Sequence, residues 1–284
     1  MKVSIVTVVF NSECFLSSFF ESIRRYNDIG EELSVVVVDN SPTDVIIKKY
    51  SKLYPEVIFI HNPANTGFGA GNNIGAKVTN SDYILFINND VEFIMPIFSQ
   101  LVNRLEKNKE IGCAGIYQQG GGSSFMGRYE VPGSMTNIVE LNEKGLYDSK
   151  KHFLSGAFLF FERTAFETIG GFDENIFMYF EESDILNRLE LINKKSVFYR
   201  DLEFLHKVGN RRILSEFADK QSCKSLCYYL KKYNINNTIH IKRIWFLHYI
   251  KLFVWNIVYG KIGELQKILR IIKFDIKTFK EENL

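Results

Sequence analysis

The chain has no run of about 18 uncharged apolar residues, so no transmembrane helix is expected. Cysteine is scarce: four residues, at 14, 113, 223 and 227, none of them in a CxxC pair. Cys223 and Cys227 would share a helix face, but without a nearby pair of histidines they make a poor zinc site. Ordinary reduced thiols are the expectation, and with them a cytoplasmic location. Net charge is only +2, which gives the whole chain no nucleic-acid signature. No secretory leader is expected either. The opening "MKVSIVTVVF" has a short apolar stretch rich in β-branched residues, and no small-residue cleavage site follows before "NSECF". It reads as a first strand.

What is present is a globular balance, 46% apolar and 24% charged in 284 residues, enough for one large α/β domain with an appendage. Strand-like and helix-like runs alternate. "VSIVTVVF" (3–10) precedes a helical segment, 13–26, with Phe15, Leu16, Phe19, Phe20 and Ile23 at helical spacing. "LSVVVVD" (33–39) is the near-continuous β-branched run of a strand buried on both faces. A helix over 43–53, a strand over 56–61, a loop and helix, and a strand over 83–88 complete βαβαβαβ, which implies a parallel sheet covered by helices. Beyond it the pattern predicts a helix over 92–108, a strand over 111–118, a glycine-rich loop over 118–127, helices over 163–169 and 181–193, and an extended run over 195–206. Past about 215 the chain turns to basic, aromatic helices. From 220 to 270 its cations are Lys220, Lys224, Lys231, Lys232, Lys242, Arg243, Lys251, Lys261, Lys267 and Arg270, against the single acid Glu264.

In an open parallel sheet, ligands bind beyond the carboxyl ends of the strands. Here those ends are polar. The first strand ends at Asn11, the second at Asp39, the third runs into "NPANTGFGAGNNIG", and the fourth stops in Asn88, Asn89 and Asp90. Each residue alone has an ordinary explanation, since Asn and Asp cap turns and helices; the repetition is what points to a site. The glycine segment fits a dinucleotide fingerprint poorly, because its spacing is GxGxGxxxG and it follows the third strand. Farther on, "FMYFEESDI" crowds Glu181, Glu182 and Asp184 at a helix start. Acids favour a first helical turn for dipole reasons alone. Crowded carboxylates behind an apolar run also raise one another's pKa, which suits a general base.

Taken together, "TVVFN", "VVVVDNS", "NTGFGAGNNIG", "FINND" and "SGAFLFFERTAFETIGGFDENIFMYFEESDI" resemble the family 2 glycosyltransferases over about residues 1–210. Within that family the chain looks most like the bacterial rhamnosyltransferase-like enzymes of O-antigen, capsule and related surface polysaccharides. The resemblance implies a GT-A fold, α/β and Rossmann-like with a mostly parallel sheet, over 1–215, followed by a basic, aromatic helical region over 216–284. It implies inverting transfer from a nucleotide-diphosphate sugar. Carried over by position, Asn11 and Asp39 contact the nucleoside, and Asn65, Gly67 and Asn73 form the "NxG…NxG" segment beside the donor. Asn88, Asn89 and Gly156 join the substrate-binding set. The "NND" falls at the family's DxD metal motif with Asn88 in place of the first acid, so Asp90 alone supplies the carboxylate for Mg2+ or Mn2+, with His206 as the further metal contact. Arg211 suits a departing diphosphate. Glu182 matches the base, normally Asp in an "ED" pair, and Asp184 is the second candidate.

These residues imply a single displacement with no covalent intermediate, consistent with the lack of any evident Ser or Cys nucleophile. The acceptor is expected to be a saccharide or a polyprenyl-linked saccharide. The donor is expected to be deoxythymidine diphosphate rhamnose, with a uridine diphosphate sugar second. "IWFLHYIKLFVWNIVYG" (244–260), with Trp245 and Trp255 and flanking cations, suits an interfacial helix at the inner face of the cytoplasmic membrane. Its alternative use is packing on the catalytic domain or in a homo-oligomer. Two other functions compete. A sugar nucleotidyltransferase needs a glycine-rich, basic phosphate loop after the first strand, which "VVFNSECF" does not offer. A non-catalytic sugar-nucleotide-binding protein has no use for the "FEESD" acids.

Overall fold

The structure, a computed structural model, describes residues 1–127, 138–207, 215–235 and 238–282. The first half alternates strand and helix as β1 (Val3–Val9), α1 (Leu16–Tyr26), β2 (Leu33–Asp39), α2 (Val45–Leu53), β3 (Ile58–His61), α3 (Phe68–Lys77) and β4 (Tyr83–Ile87). Next come β5 (Val91–Phe93), α4 (Phe98–Lys107), β6 (Ile111–Gln119), β7 (Phe125–Gly127), α5 (Ile138–Lys144), β8 (His152–Leu154), β9 (Phe158–Glu162), α6 (Arg163–Thr168), α7 (Glu181–Leu191) and β10 (Lys195–His206). The helices α8 (Glu216–Lys232), α9 (Thr238–Val258) and α10 (Ile262–Glu281) follow.

Eight strands form one sheet in the order β3-β2-β1-β4-β9-β6-β10-β5. The pairs β1–β2, β2–β3, β1–β4 and β6–β10 are parallel. β9 is antiparallel to both β4 and β6, and β5 is antiparallel to β10. The sheet is thus mostly parallel but mixed. β9 is the strand that periodicity leaves hidden, because Phe158–Phe161 is an unbroken apolar run that fits helix or strand equally. The expected helix over 92–108 is shortened for a related reason. Val91 and Phe93 are buried on either side of Glu92, so this short alternation pairs with β10 and the helix begins only at Phe98. Within 118–127, Gln118 and Gln119 finish β6, and Phe125–Gly127 pairs with β8.

Alternation along each strand sends side chains to opposite faces. Ile5, Val35, Val37 and Leu85 meet Phe19 and Phe20 of α1 and Leu101 of α4 on one face. Val6, Val36, Val38, Ile84 and Phe86 meet Phe166 of α6 and Ile185, Leu186 and Leu189 of α7 on the other. Helix α3 lies on that second face with no room to spare: a Cβ on Gly71 or Gly75 would run into Val8 or Val6. The glycines inside α3 therefore serve helix–strand approach. Gly67, at φ +91°, instead occupies the turn ahead of the helix, where a side chain would strike the Phe177 carbonyl.

A third core joins α8, α9 and α10, with Cys223, Leu226, Tyr229, Trp245, Tyr249, Ile268 and Ile271 buried together. Trp245 and Tyr249 are 1% and 2% exposed, so Trp245 is a packing residue and not the interfacial anchor expected of it. No helix among the described residues is long and apolar enough to cross a membrane.

Candidate active site

The carboxyl ends of the strands lie side by side because the parallel pairs are in register: Val9 sits beside Asp39, and Asp39 beside His61. Asp39 is fully buried. Its Oδ1 accepts from the Ser41 amide at 2.9 Å, while Oδ2 is buried with no partner. A buried carboxylate oxygen without a donor costs free energy unless something supplies one. Asn11 is exposed at φ +49°, and its amide donates to Ser41 Oγ at 2.9 Å, so Ser41 ties the first two strand ends together. Asn40 braces the next loop. Its Nδ2 donates to the Gly67 carbonyl at 3.1 Å and to Asn65 Oδ1 at 3.4 Å, and its Oδ1 accepts from Asn62 Nδ2 at 2.8 Å. Asn65 also adopts a positive φ, +43°. Asn73 has a different job: it donates to the Phe172 carbonyl at 2.9 Å and accepts from the Phe172 amide at 2.9 Å, which fixes the turn after α6 from the flank of α3.

The "NND" triplet divides into separate roles. Asn89 is buried and donates to both the carbonyl and Oγ of Ser12 at 2.9 Å, locking the end of β4 to the loop after β1. The Asn88 amide donates to the Ala157 carbonyl at 3.3 Å, which brings the start of β9 alongside. Asp90, 4% exposed, meets His206 Nε2 through Oδ1 at 3.0 Å. His206 is brought there because β10 ends against β5 in register, His206 beside Val91. The other ring nitrogen, Nδ1, is buried without a partner among the described residues. Asp90 and His206 bring a carboxylate oxygen and an imidazole nitrogen together, donors that would suit a divalent cation such as Mg2+ or Mn2+. No cluster of three or more His, Cys, Asp or Glu residues suited to a metal occurs among the described residues, so the donor set supplied by this part of the chain is small.

The three acids at the start of α7 also divide. Asp184 is fully buried and engaged on every side. Its Oδ2 meets Arg188 at 2.7–2.8 Å; its Oδ1 meets Lys232 Nζ at 2.5 Å and the Tyr233 hydroxyl at 2.9 Å. Arg188 in turn donates to the carbonyls of Ile169 and Gly171 at 2.6 Å. Glu182 is half-buried, and its Oε1 accepts from the Gly156 amide at 3.1 Å. A Cβ on Gly156 would collide with that same oxygen, so glycine at 156 makes room for the carboxylate. Burial holds the Glu181 carboxyl well above the usual range, with the charge of Glu182 adding to the effect. Burial also raises Glu182, against the donation of its own amide and that of Gly156. The Glu182 carboxylate thus has an amide donor from outside its helix, while Glu181 Oε2 is buried without a partner.

Asn11, Asp39, Asn65, Gly67, Asn88, Asp90, Gly156, Glu182 and His206 all sit on strand ends or on the loops and helix start braced against them. Asn73, Asn89 and Asp184 are committed to internal bonds. Arg211 lies outside the described residues. Sequence reasoning passed over Ser12 and Ser41, whose only signal is that each directly follows a strand-end Asn.

Residues 4–170 match the family described as "Glycosyl transferase family 2". Over 231 residues the chain is 25% identical to the N-acetylglucosaminyl-diphospho-decaprenol L-rhamnosyltransferase of Mycobacterium tuberculosis, covering 71% of this chain and 75% of that one. It is 24% identical over 266 residues to rhamnosyltransferase WbbL of Escherichia coli, covering 85% and 97%. A shorter match, 35% over 94 residues, is to the poly(ribitol-phosphate) beta-glucosyltransferase of Bacillus spizizenii, covering 32% of this chain and only 15% of that one. Among solved structures, the mannosyltransferase PcManGT of Pyrobaculum calidifontis in complex with GDP-Man and Mn2+ superposes with a TM-score of 0.62 at 12% identity, covering 98% of this chain and 87% of that chain. At this identity the likeness concerns the fold, which is that of the GT-A glycosyltransferases.

Proposed function

The chain belongs to glycosyl transferase family 2 and is a glycosyltransferase, and we propose that it moves rhamnose from deoxythymidine diphosphate rhamnose, with inversion, to a lipid-linked saccharide in the assembly of a bacterial surface polysaccharide. The observation that carries the chemistry is the Glu182 carboxylate, held at the Gly156 amide, with the neighbouring Ala157 carbonyl bonded to the Asn88 amide and Asp90, two residues farther on, paired with His206. Glu182 takes the proton from the acceptor hydroxyl as that oxygen attacks the anomeric carbon. Asp39 Oδ2 is the unpartnered acceptor offered to the nucleoside, and Asn11, Asn65 and Gly67 shape the loops around it. Asp90 and His206 hold Mg2+ or Mn2+, which when bound offsets the charge that builds on the leaving diphosphate. Rhamnose is favoured by the names of the two relatives that match along most of their length.

A panel of nucleotide sugars, tested for thermal stabilisation and for turnover with and without Mn2+, checks this reading. Deoxythymidine diphosphate rhamnose is expected to stabilise the protein most and to be consumed with a polyprenyl-diphosphate saccharide as acceptor. Turnover of a uridine diphosphate sugar alone would overturn the donor assignment. Binding without any transfer would move the protein to the non-catalytic class.

The same reading places the protein at an anionic membrane surface. The elbow between α9 and α10 exposes Val254, Trp255, Ile257, Val258, Tyr259 and Ile262. From Lys220 to Gly263 the sequence carries no acid. Lys261 lies over the Trp255 ring at 4.7 Å. An apolar tip carrying aromatics and a cation is the pattern of interfacial anchoring. Because Trp245 is buried, Trp255 reports on the elbow. In a Trp245→Phe variant its fluorescence should be quenched by vesicles of brominated anionic lipid, and quenching that instead tracks protein concentration without vesicles would make the elbow a subunit contact.

A further inference from the structure

Two consecutive bulky residues immediately ahead of the base, Tyr179 and Phe180, adopt left-handed backbone conformations at φ +66° and +68°. Large side chains avoid this region, so such a turn persists only where the surroundings impose it. The surroundings here come from α8. Ser225 Oγ donates to the Met178 carbonyl at 2.8 Å, just before the turn. The Tyr229 ring lies 5.7 Å from that of Phe180, within the turn, and its hydroxyl accepts from Asn187 Nδ2 on α7 at 2.5 Å. Lys232 Nζ meets Asp184 Oδ1 at 2.5 Å and Asp173 at 2.6 Å, after and before the turn, and Tyr233 joins it on Asp184 at 2.9 Å. Ser225, Tyr229 and Lys232 are spaced i, i+4, i+7, one face of a helix.

We infer that α8 is a positioning element of the active site: its Ser225–Tyr229–Lys232 face holds the Tyr179–Phe180 turn in its left-handed form and thereby keeps the Glu182 carboxylate at the Gly156 amide. This rests on the reading of Glu182 as the base. The first turn of α7 has no freedom of its own to do the job. Its N-terminal flank is the disfavoured turn, and no side chain caps it. Without the α8 face, the backbone at 179 and 180 relaxes toward negative φ, which re-aims the start of α7 and withdraws Glu182 from Gly156. Ser225, Tyr229 and Lys232 touch neither donor nor acceptor in this scheme; they act through the turn.

The test uses the full chain and reads position and chemistry separately. Ser225→Ala and Tyr229→Ala should speed amide hydrogen exchange at Gly156. They should also lower kcat about tenfold, leave the donor KM within about twofold, and move the acid limb of the pH–kcat profile upward, because a carboxylate that loses an N–H donor is harder to ionise. Glu181 is the titratable group facing it from its own helix and is present in every variant. Tyr229→Phe keeps the ring and should retain most of kcat. The backbone argument has its own control: in the Ser225→Ala background, Tyr179→Gly should restore kcat and Tyr179→Ala should not, since both delete the side chain but only glycine accepts positive φ. Unchanged Gly156 exchange and an unmoved pH limb in folded Ser225→Ala and Tyr229→Ala would overturn the inference, as would equal behaviour of the glycine and alanine variants. Faster Gly156 exchange with undiminished turnover would leave the positioning in place and overturn the assignment of Glu182 as base.

Discussion

Replacing Gly156 by alanine separates catalysis from folding at a single methyl group. The position has ordinary negative-φ backbone, so alanine meets no conformational penalty there. What it meets is the Glu182 side chain, whose Oε1 stands where the Cβ would go and whose Cδ and Cγ lie 3.1 Å away. The obstructing group is the end of a flexible side chain, so the fold yields cheaply and the carboxylate moves. Two losses follow. The hydrogen bond from the Gly156 amide to an ionised acceptor is worth roughly 1.5–3 kcal/mol, and a base displaced by about 1 Å costs up to about 10²-fold in rate. Turnover should therefore fall by about 10 to 10²-fold, with the melting temperature and the donor KM close to wild type. A coupled assay of nucleoside diphosphate release, run beside thermal denaturation, measures both. Shortening the acid tests the cause: Gly156→Ala combined with Glu182→Asp removes the overlap and should recover activity relative to Gly156→Ala alone. A folded Gly156→Ala protein with wild-type kcat would show that the carboxylate at this amide does no chemistry.

Three further outcomes follow from other parts of the structure. Asp90→Ala and His206→Ala should each weaken Mn2+-dependent binding of the nucleotide by calorimetry while leaving the fold intact, and unchanged binding in both would remove the metal from this pair. Lys232→Met leaves fully buried Asp184 short of one cation, so chemical denaturation should show a loss of about 3 kcal/mol, partly restored by Asp184→Asn; no loss would mean that Arg188 and Tyr233 suffice. Burial raises Asp275 in the C-terminal bundle to about 7, against Cys223 and Tyr249, and raises Asp219 to about 6. A carboxyl raised on folding binds more protons in the native state between its unfolded and folded pKa, so stability should fall as pH rises from about 4 to 7. Asp275→Asn should flatten that slope and leave the variant more stable than wild type at pH 8, and a slope unaltered by the substitution would sink the assignment.

The sheet was legible where physical patterns were one-sided. "LSVVVVD" can only be a strand buried on both faces, and the polar residues that stop the first four strands do converge on one edge. Legibility failed where a pattern served two structures. Phe158–Phe161 is equally apolar for helix or strand, and nothing local announces that it runs antiparallel between β4 and β6. The glycines after the third strand fit a dinucleotide fingerprint poorly, and no local pattern announces that those at 71 and 75 are there because Val8 and Val6 leave no space for a Cβ. Within the site, residue type fixed location but not role. Three acids in "FEESD" look alike in sequence. Only long-range partners, Lys232 and Tyr233 for Asp184 and Gly156 for Glu182, separate a buried anchor from a carboxylate held at a loop amide.

The division of the chain at about residue 215 illustrates the same limit. Composition changes there, from mixed to basic and aromatic, and composition is what a sequence displays. Packing does not divide there. Phe180, one residue before α7, belongs to the core of the C-terminal helices and not to the two cores of the sheet. Lys232 and Tyr233 complete the charge balance of an acid two residues after Glu182. The basic residues after 215 are thus not interchangeable members of a positive tail: Lys232 is paired inside the protein, whereas Lys251 of α9 and Lys261 ahead of α10 stay exposed. One helical region thereby presents two faces: an inner one bonded to Met178, Asp173 and Asp184 around the start of α7, and an outer elbow with exposed apolar side chains.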